Sequence, residues 1–291
     1  MGASADRCDR PKVSVITVVL NGGEALLRTI QSVLAQTYQP IEYIVIDGGS
    51  TDGSVDLIKR HHNSIAFWIS EPDRGISDAF NKGIAAATGD YVGLLNADDW
   101  LSPDQIETAV AALETGKARQ AGEASFAFGN LMYYASDGTP LHLIQGDPSY
   151  ADKIESRMPA LNHPTMLVRR SLFETLGGFD QRYRVAMDYD WVLRAHLAGH
   201  RGVHAPGVLG HMTLAGTSDR RFVEGLSEVR RIAISHGQPR LRAWPLFGFR
   251  VLKGVMQRRL QRHAPASIYR RLRRWINRDY RSLASAAERD S

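Results

Sequence analysis

The run Val13-Ser14-Val15-Ile16-Thr17-Val18-Val19-Leu20 is β-branched and uninterrupted. A strand that reads this way is covered on both faces, which is the environment of a parallel sheet. Asn21-Gly22-Gly23 ends it, and Glu24–Ala35 then carries Leu26, Leu27, Ile30, Val33 and Leu34 at helical spacing. Tyr43-Ile44-Val45-Ile46 is a second strand pattern that ends on Asp47. The turn Gly48-Gly49-Ser50-Thr51-Asp52-Gly53 leads into a helix through Leu57 and Ile58. A third strand over Ile65–Ile69, a helix over Ile76–Ala87 and a fourth strand over Tyr91–Leu95 continue the series. Strand and helix alternating in this order predict a parallel sheet with helices on both faces.

Beyond a helix over Pro103–Leu113 the regularity falls away. Residues 115–125 read as a loop, Phe126–Tyr134 and Leu141–Ile144 as strands, and a mixed second half is expected. Helices are predicted near Leu172–Leu176, over Asp190–Ala198 and across 219–236. With 43% apolar residues in 291, the chain can bury one large α/β core with an appendage. The single cysteine, Cys8, excludes an internal disulfide framework and suits a reducing compartment. Met1–Arg10 is polar and lacks the apolar centre of a secretory signal. No apolar run approaches the roughly 18 residues of a membrane-spanning helix, so a cytoplasmic protein is expected.

Three of the expected strands end on small or polar residues: Asn21-Gly22-Gly23, Asp47-Gly48-Gly49-Ser50 and Asn96-Ala97-Asp98-Asp99. In a parallel sheet all three loops fall on one edge, where α/β proteins bind ligands, and together they can surround a nucleotide. Asp47 can accept a hydrogen bond from a base N–H while the turn amides orient the ligand; the same residues also suit a plain strand-to-helix connection. Adjacent carboxylates such as Asp98 and Asp99 repel and resist desolvation, which calls for a cation, and a hard divalent ion carrying a phosphate fits. The alternative is that they lead into the helix opened by Ser102-Pro103. Neither a G-x-G-x-x-G nor a G-x-x-x-x-G-K-[ST] loop is present, so the phosphate-binding signatures of dinucleotide dehydrogenases and P-loop ATPases are missing.

The segments VSVITVVLNGGEALLRTIQSVLAQTY, IEYIVIDGGSTDGS, EPDRGISDAFNKGIAAATGDYVGLLNADDW and GGFDQRYRVAMDYDWVLR resemble the inverting family-2 glycosyltransferases. The resemblance covers about residues 12–200. It implies an α/β GT-A (nucleotide-diphospho-sugar transferase) fold, with a mostly parallel central sheet flanked by helices and, here, a basic helical C-terminal extension. The implied activity is transfer of a sugar from a nucleotide-sugar donor to a saccharide or lipid-linked acceptor, in cell-surface polysaccharide or glycolipid assembly. By position, Asp47 binds the nucleobase, and Thr17, Asn21 and Gly49 line the nucleotide pocket. Arg74, Asp78, Asn81 and Lys82 resemble the segment that contacts the donor. Asn96-Ala97-Asp98-Asp99 stands where the family has its D-x-D-type motif. Asn96 replaces the usual first aspartate, leaving Asp98 as the ligand of Mg2+ or Mn2+ with Asp99 in support. Gly48 likewise stands where a second acid is common.

Departure of a nucleoside diphosphate develops negative charge that a divalent metal neutralises, and the acceptor hydroxyl needs a general base. Met187-Asp188-Tyr189-Asp190-Trp191 resembles the family's E-D motif with Met in place of Glu, which makes Asp188 the implied base. Asp190 and Trp191 are then assigned to the acceptor side; a helix cap is the alternative for the two acids. His163 is either an acceptor-pocket histidine or a structural one. His211 is either a third group on the metal or diphosphate or a structural histidine. Ala215-Gly216-Thr217-Ser218 reads as a loop able to close over the diphosphate.

Arg240 to Arg281 holds thirteen Lys/Arg against one acid, Asp279, so the rest of the chain is net acidic although the total is +5. Arginine clusters interleaved with apolar and aromatic residues suit an amphipathic helix on an anionic membrane surface. A homo-oligomerisation helix is the alternative, and no nucleic-acid recognition module accompanies the charge. The expected organisation is a polar leader over 1–11, a transferase domain over 12–218 divided at 114/115, and a basic helical extension over 219–291. The expected setting is the inner face of the cell membrane. Two rival readings are a sugar-phosphate nucleotidyltransferase, which lacks its G-x-G-T-R-like loop here, and an inert binding protein of the same fold.

Overall fold

A computed structural model describes residues 10–116, 124–135, 137–155, 157–213 and 221–237. Among them, β1 (Val13–Val19) is buried at every position. Its residues alternate between two cores: Ile16 and Val18 enter one with Phe80, Phe173 and Trp191, whereas Val13, Val15 and Val19 enter the other with Leu26, Ile30 and Val110. The uninterrupted apolar run is therefore accounted for by cover on both faces.

The first half follows the expected alternation. α1 (Gly23–Leu34), β2 (Ile41–Asp47), α2 (Ser54–Arg60), β3 (Phe67–Ser70), α3 (Ile76–Ala86) and β4 (Tyr91–Asn96) come in that order. β1 pairs parallel with β2 on one side and with β4 on the other, Val19 opposite Asp47 and Val18 opposite Asn96. β3 extends this parallel half beside β2.

The second half is mixed. β5 (Asp99–Leu101), α4 (Gln105–Gly116), β6 (Phe126–Tyr134), β7 (Pro140–Ile144), β8 (Leu167–Arg169), α5 (Arg170–Leu176), α6 (Met187–Leu197), β9 (Gly202–Thr213) and α7 (Phe222–Ser235) complete the described elements. One nine-stranded sheet runs in the order β3-β2-β1-β4-β8-β6-β9-β5, with β7 paired to β6. β8 joins the halves, antiparallel to both β4 and β6. β6 and β9 run parallel to each other, and β5 runs antiparallel to β9.

Three strands were not expected from the sequence: β5, β8 and β9. β5 and β8 have three residues each, too few to show a period, and exist through pairing with remote strands. β9 contains Pro206 and Gly207, which argue against a central strand. The β6–β9 register shifts between Phe128 and Asn130, where a Cβ on Gly129 would lie 2.4 Å from the Val208 carbonyl oxygen. The irregularity lets the strand pass a position that has no room for a side chain. α7 lies inside the expected C-terminal extension, yet Val229 and Ile232 enter the core that holds Trp191 and Leu193. The chain divides into compact units at 238/239. The basic segment 240–281 lies outside the described residues, as does the loop 215–218. No helix among the described residues is long and apolar enough to cross a membrane.

α3 sits against β1 so closely that a Cβ on Gly83 would fall 2.3 Å from Ile16 Cγ2. Gly83→Val is expected to cost about 2 kcal/mol or more through overpacking. A urea titration should show a lower midpoint at unchanged slope; an unchanged midpoint would contradict this close packing.

Candidate active site

The parallel alignment of β1, β2 and β4 brings the three polar loops to one sheet edge, as the alternation required. Asn21, at φ +53°, follows β1 by two residues and links two of the loops. Its N–H donates to Ser50 Oγ at 2.7 Å, and its Oδ1 accepts from Thr51 N–H at 2.9 Å. Gly23 N–H donates to Asp52 at 2.8 Å. A short polar chain segment leaving a strand is held here by the next loop rather than by its own helix.

Asp47 ends β2 and is fully buried. Its Oδ2 accepts from Gly49 N–H and Ser50 N–H, both at 3.0 Å, and from the Ser70 hydroxyl at 2.7 Å. Its Oδ1 has no hydrogen-bond partner among the described residues. A buried carboxylate oxygen left bare costs free energy unless a donor arrives, so this atom marks a place for a ligand N–H or O–H. Gly49, at φ +88°, belongs to the turn that wraps Oδ2. Thr17 is fully buried within β1, where its hydroxyl accepts from Tyr43 OH at 3.1 Å. This bond ties β1 to β2.

Asn96-Ala97-Asp98-Asp99 is a tight turn between β4 and β5, not a lead into the next helix. The Thr29 hydroxyl on α1 lies 2.8 Å from the Ala97 carbonyl oxygen and 2.7 Å from that of Asp99. Asn96 Nδ2 donates to Asp99 Oδ2 at 2.9 Å. Asn96 Oδ1 and Asp99 Oδ1 are both buried without partners. Burial, and then the charge of Asp98, hold the Asp99 carboxyl well above the usual carboxylate range. Burial also raises Asp98, against the pull of Arg28. The Arg28 guanidinium stacks 3.6 Å over the Trp100 ring and donates to Thr213 Oγ1 at 3.2 Å.

Those oxygens are hard ligands in a site short of positive charge, the donor chemistry that Mg2+ or Mn2+ prefers. Asp98, with Asn96 and Asp99 beside it, fits such an ion, although no set of three or more His, Cys, Asp or Glu side chains gathers among the described residues. His211 does not join them. β9 places it opposite Trp100, on whose ring it stacks. Its Nε2 is 2.8 Å from Ser102 Oγ and its Nδ1 is 3.1 Å from Tyr134 OH, so both nitrogens are engaged. These contacts match the structural alternative for His211.

The polar side chains of segment 74–82 bond mostly to one another and to neighbouring loops. Asp78 accepts from Arg74 N–H and from the Arg74 guanidinium, each at 3.0 Å, and from Gln181 at 2.9 Å. The Arg74 guanidinium first, and then the Arg74 N–H, hold its carboxyl below the usual range. Arg74 itself stays 75% exposed and free to turn toward a ligand. Lys82 pairs with Glu71 at 2.7 Å. Asn81 spends both ends of its amide on Phe179, donating to the carbonyl at 2.8 Å and accepting from the N–H at 2.7 Å. These two bonds fasten α3 to the chain before α6.

Asp188 lies in the first turn of α6, half-buried. Burial pushes its carboxyl up to about 6, with the nearby Glu228 carboxylate adding to the shift and the Tyr189 amide opposing it. The acceptor-side neighbours are different from expectation. Asp190 is buried and holds Arg194 at 2.9 Å and His236 at 3.2 Å. Trp191 is 1% exposed, packs on Phe173 and donates through Nε1 to the Gly177 carbonyl at 3.1 Å. These contacts engage both side chains within the core around α6. His163 packs edge-on against Phe80, and its Nε2 is buried without a partner. Burial lowers its imidazole to about 4, so it is neutral at pH 7.

Glu228 on α7 was not singled out in the sequence. It is 1% exposed and accepts from the N–H groups of Arg184, Val185 and Ala186 at 3.0, 2.8 and 2.9 Å. These residues lead directly into α6 and Asp188. No local pattern links positions 184–186 to 228; only tertiary contact does.

The model of the family described as Glycosyl transferase family 2 matches residues 14–177. An uncharacterized glycosyltransferase of Mycobacterium tuberculosis is 37% identical over 189 residues, 64% of this chain and 70% of that protein. A PGL/p-HBAD biosynthesis glycosyltransferase of Mycobacterium bovis is 26% identical over 245 residues, 81% of this chain and 91% of that protein. Among solved structures, the mannosyltransferase PcManGT of Pyrobaculum calidifontis, in complex with GDP-Man and Mn2+, superposes with a TM-score of 0.62 at 19% identity. That match covers 96% of this chain and 85% of that one. TarS of S. aureus gives a TM-score of 0.56 at 18% identity, covering 80% of this chain and 41% of TarS. These structures share the fold, a mixed α/β sheet of the GT-A kind with flanking helices. On the family match and the sheet-edge site together, the chain belongs to glycosyl transferase family 2.

Proposed function

We propose that this glycosyltransferase moves a sugar, with inversion, from a nucleotide-sugar donor to an acceptor hydroxyl in cell-surface polysaccharide or glycolipid assembly. The observation that carries the reading is the set of bare oxygens, Asp47 Oδ1 at the end of β2, Asn96 Oδ1 at the end of β4 and Asp99 Oδ1 just across the turn on β5. Asp47 would take a base N–H at one end of a nucleoside diphosphate. Asp98, with Asn96 and Asp99, would hold Mg2+ or Mn2+ at the other end, and that ion would neutralise charge on the leaving diphosphate. Solved relatives of the fold carry UDP-GlcNAc, or GDP-Man with Mn2+, which makes UDP- and GDP-sugars the donors to test first.

Asp188 is the general base in this reading. The acceptor oxygen forms its bond to the anomeric carbon as the bond to the diphosphate oxygen breaks. The diphosphate leaves with that electron pair, and the hydroxyl proton passes to Asp188. A carboxylate raised to about 6 is a better proton acceptor than an ordinary one and is still ionised at pH 7. The transferase domain extends through α7, because Glu228 secures the approach to Asp188. The basic segment 240–281 is assigned to an anionic membrane surface near a lipid-linked acceptor.

Asp188→Asn is expected to lower transfer by about 10^2- to 10^4-fold with donor affinity nearly unchanged. Nucleoside diphosphate release and donor binding, measured side by side, check this; retained turnover would remove Asp188 from the role. Because the base must be ionised, kcat/KM should fall as pH drops through about 6. A profile flat from pH 5 to 7 would contradict the assignment. Glu228→Ala leaves three backbone donors without their acceptor and should destabilise the fold by about 2 kcal/mol. Melting temperature and kcat are expected to fall together, and a variant matching the parent in both would show that the contact is dispensable.

A further inference from the structure

Gly48 has an unusual neighbour. A Cβ built on it would lie 2.3 Å from Asp73 Oδ2 and 3.1 Å from Asp73 Cγ. The carboxylate of Asp73 thus occupies the space that any side chain at position 48 would need. Three contacts keep it there. Asp73 Oδ1 accepts from Gly75 N–H at 2.7 Å, in a turn that needs the positive φ of Gly75, +118°. Glu71 N–H donates to the Asp47 carbonyl at 3.0 Å, and Lys82 braces the same loop through the Pro72 carbonyl at 3.2 Å. The loop after β3 is in this way folded over the end of β2, next to Asp47. Asp73 Oδ2 accepts no hydrogen bond from any described residue, and the fully buried Asp47 alongside it has its own bare oxygen, Oδ1.

We propose that Asp73 is a specificity-determining residue of the donor site, whose free carboxylate oxygen accepts a hydrogen bond from a ribose hydroxyl of the nucleoside diphosphate. The inference rests on the nucleotide-sugar reading above. An ionised carboxylate only accepts hydrogen bonds, and vicinal ribose hydroxyls are donors that suit it. Bonds to a charged acceptor are about twice as strong as neutral ones. Asp47 and Asp73 then divide the work: the first meets the base and the second meets the sugar of the same nucleoside. The pairing also explains why position 48 is glycine in a place where a carboxylate would be useful. One acid fits at this point of the sheet edge, and it arrives from the neighbouring loop.

The test is calorimetric titration of the full chain, in Mn2+, with UDP, GDP and their 2′-deoxy and 3′-deoxy forms. The wild type is expected to bind at least one ribonucleotide, and to bind one of its deoxy forms about tenfold more weakly, a typical penalty for losing a bond to a charged group. Asp73→Asn should weaken the ribonucleotide by a similar factor and lose the discrimination against the deoxy form. Gly48→Ala keeps the carboxylate but displaces it, so it should lose the same discrimination while melting close to the wild type. The double variant Gly48→Asp with Asp73→Gly is expected to recover it. Ribonucleotide binding with discrimination unchanged in both single variants overturns the role of Asp73 and leaves the nucleotide reading intact. A wild type that binds none of the nucleotides overturns both.

Discussion

β1 is hydrogen-bonded on both edges and buried on both faces, and this double enclosure is the constraint from which the site follows. A strand so placed has no freedom of register, because a slip by one residue would exchange its two cores. With β2 and β4 held parallel to it, Leu20-Asn21, Asp47-Gly48 and Asn96-Ala97 emerge at one level. The loops can then be polar and short, since the sheet below supplies their placement. Their cross-links through Ser50, Asp52 and Thr29 are all between loops or from a helix to a turn.

The electrostatics of that edge are unbalanced by the protein alone. Asp98 and Asp99 are raised by burial, and the nearby Arg28 guanidinium is engaged with Trp100 and Thr213. Bare oxygens on Asp47, Asn96 and Asp99 add to the deficit of donors. Buried polar groups in this condition weaken a fold, so the cost of keeping them bare is offset only when a ligand supplies the missing partners. Replacing aspartate by Asn96 keeps one hard oxygen while its amide binds Asp99, which reduces the repulsion between neighbouring acids.

The helix that carries Asp188 shows how one motif serves two ends. Asp190, Trp191 and Arg194 face Gly177, Gly178 and His236 and hold α6 in the core. Of the two acids in its first turn, Asp190 pairs with Arg194 and His236, whereas Asp188 has no cationic partner among the described residues. Glu228, from a helix more than thirty residues later, fixes the backbone just before it. Burial raises the proton affinity of Asp188, and Glu228 holds the backbone that leads into its helix.

Residue type and spacing by themselves determined the parallel half of the sheet, the convergence of three loops on one edge, and the candidacy of Asp47 and Asp98; Asp188 was singled out by the family resemblance. Those features depend on local periodicity and on the rule that parallel strands expose their carboxyl ends together. The tertiary structure alone decided what each polar side chain is used for. Thr17, Asn81, Asp190, Trp191 and His211 have the right types and positions for a site, yet their atoms are taken up by strands and helices distant in sequence. β5, β8 and β9 likewise exist only because remote partners satisfy their backbone. Glu228 and Asp73 matter through contacts 42 to 44 and 25 residues away, respectively. Hydrogen-bond partners and burial are properties of three-dimensional neighbours, and a linear pattern does not contain them.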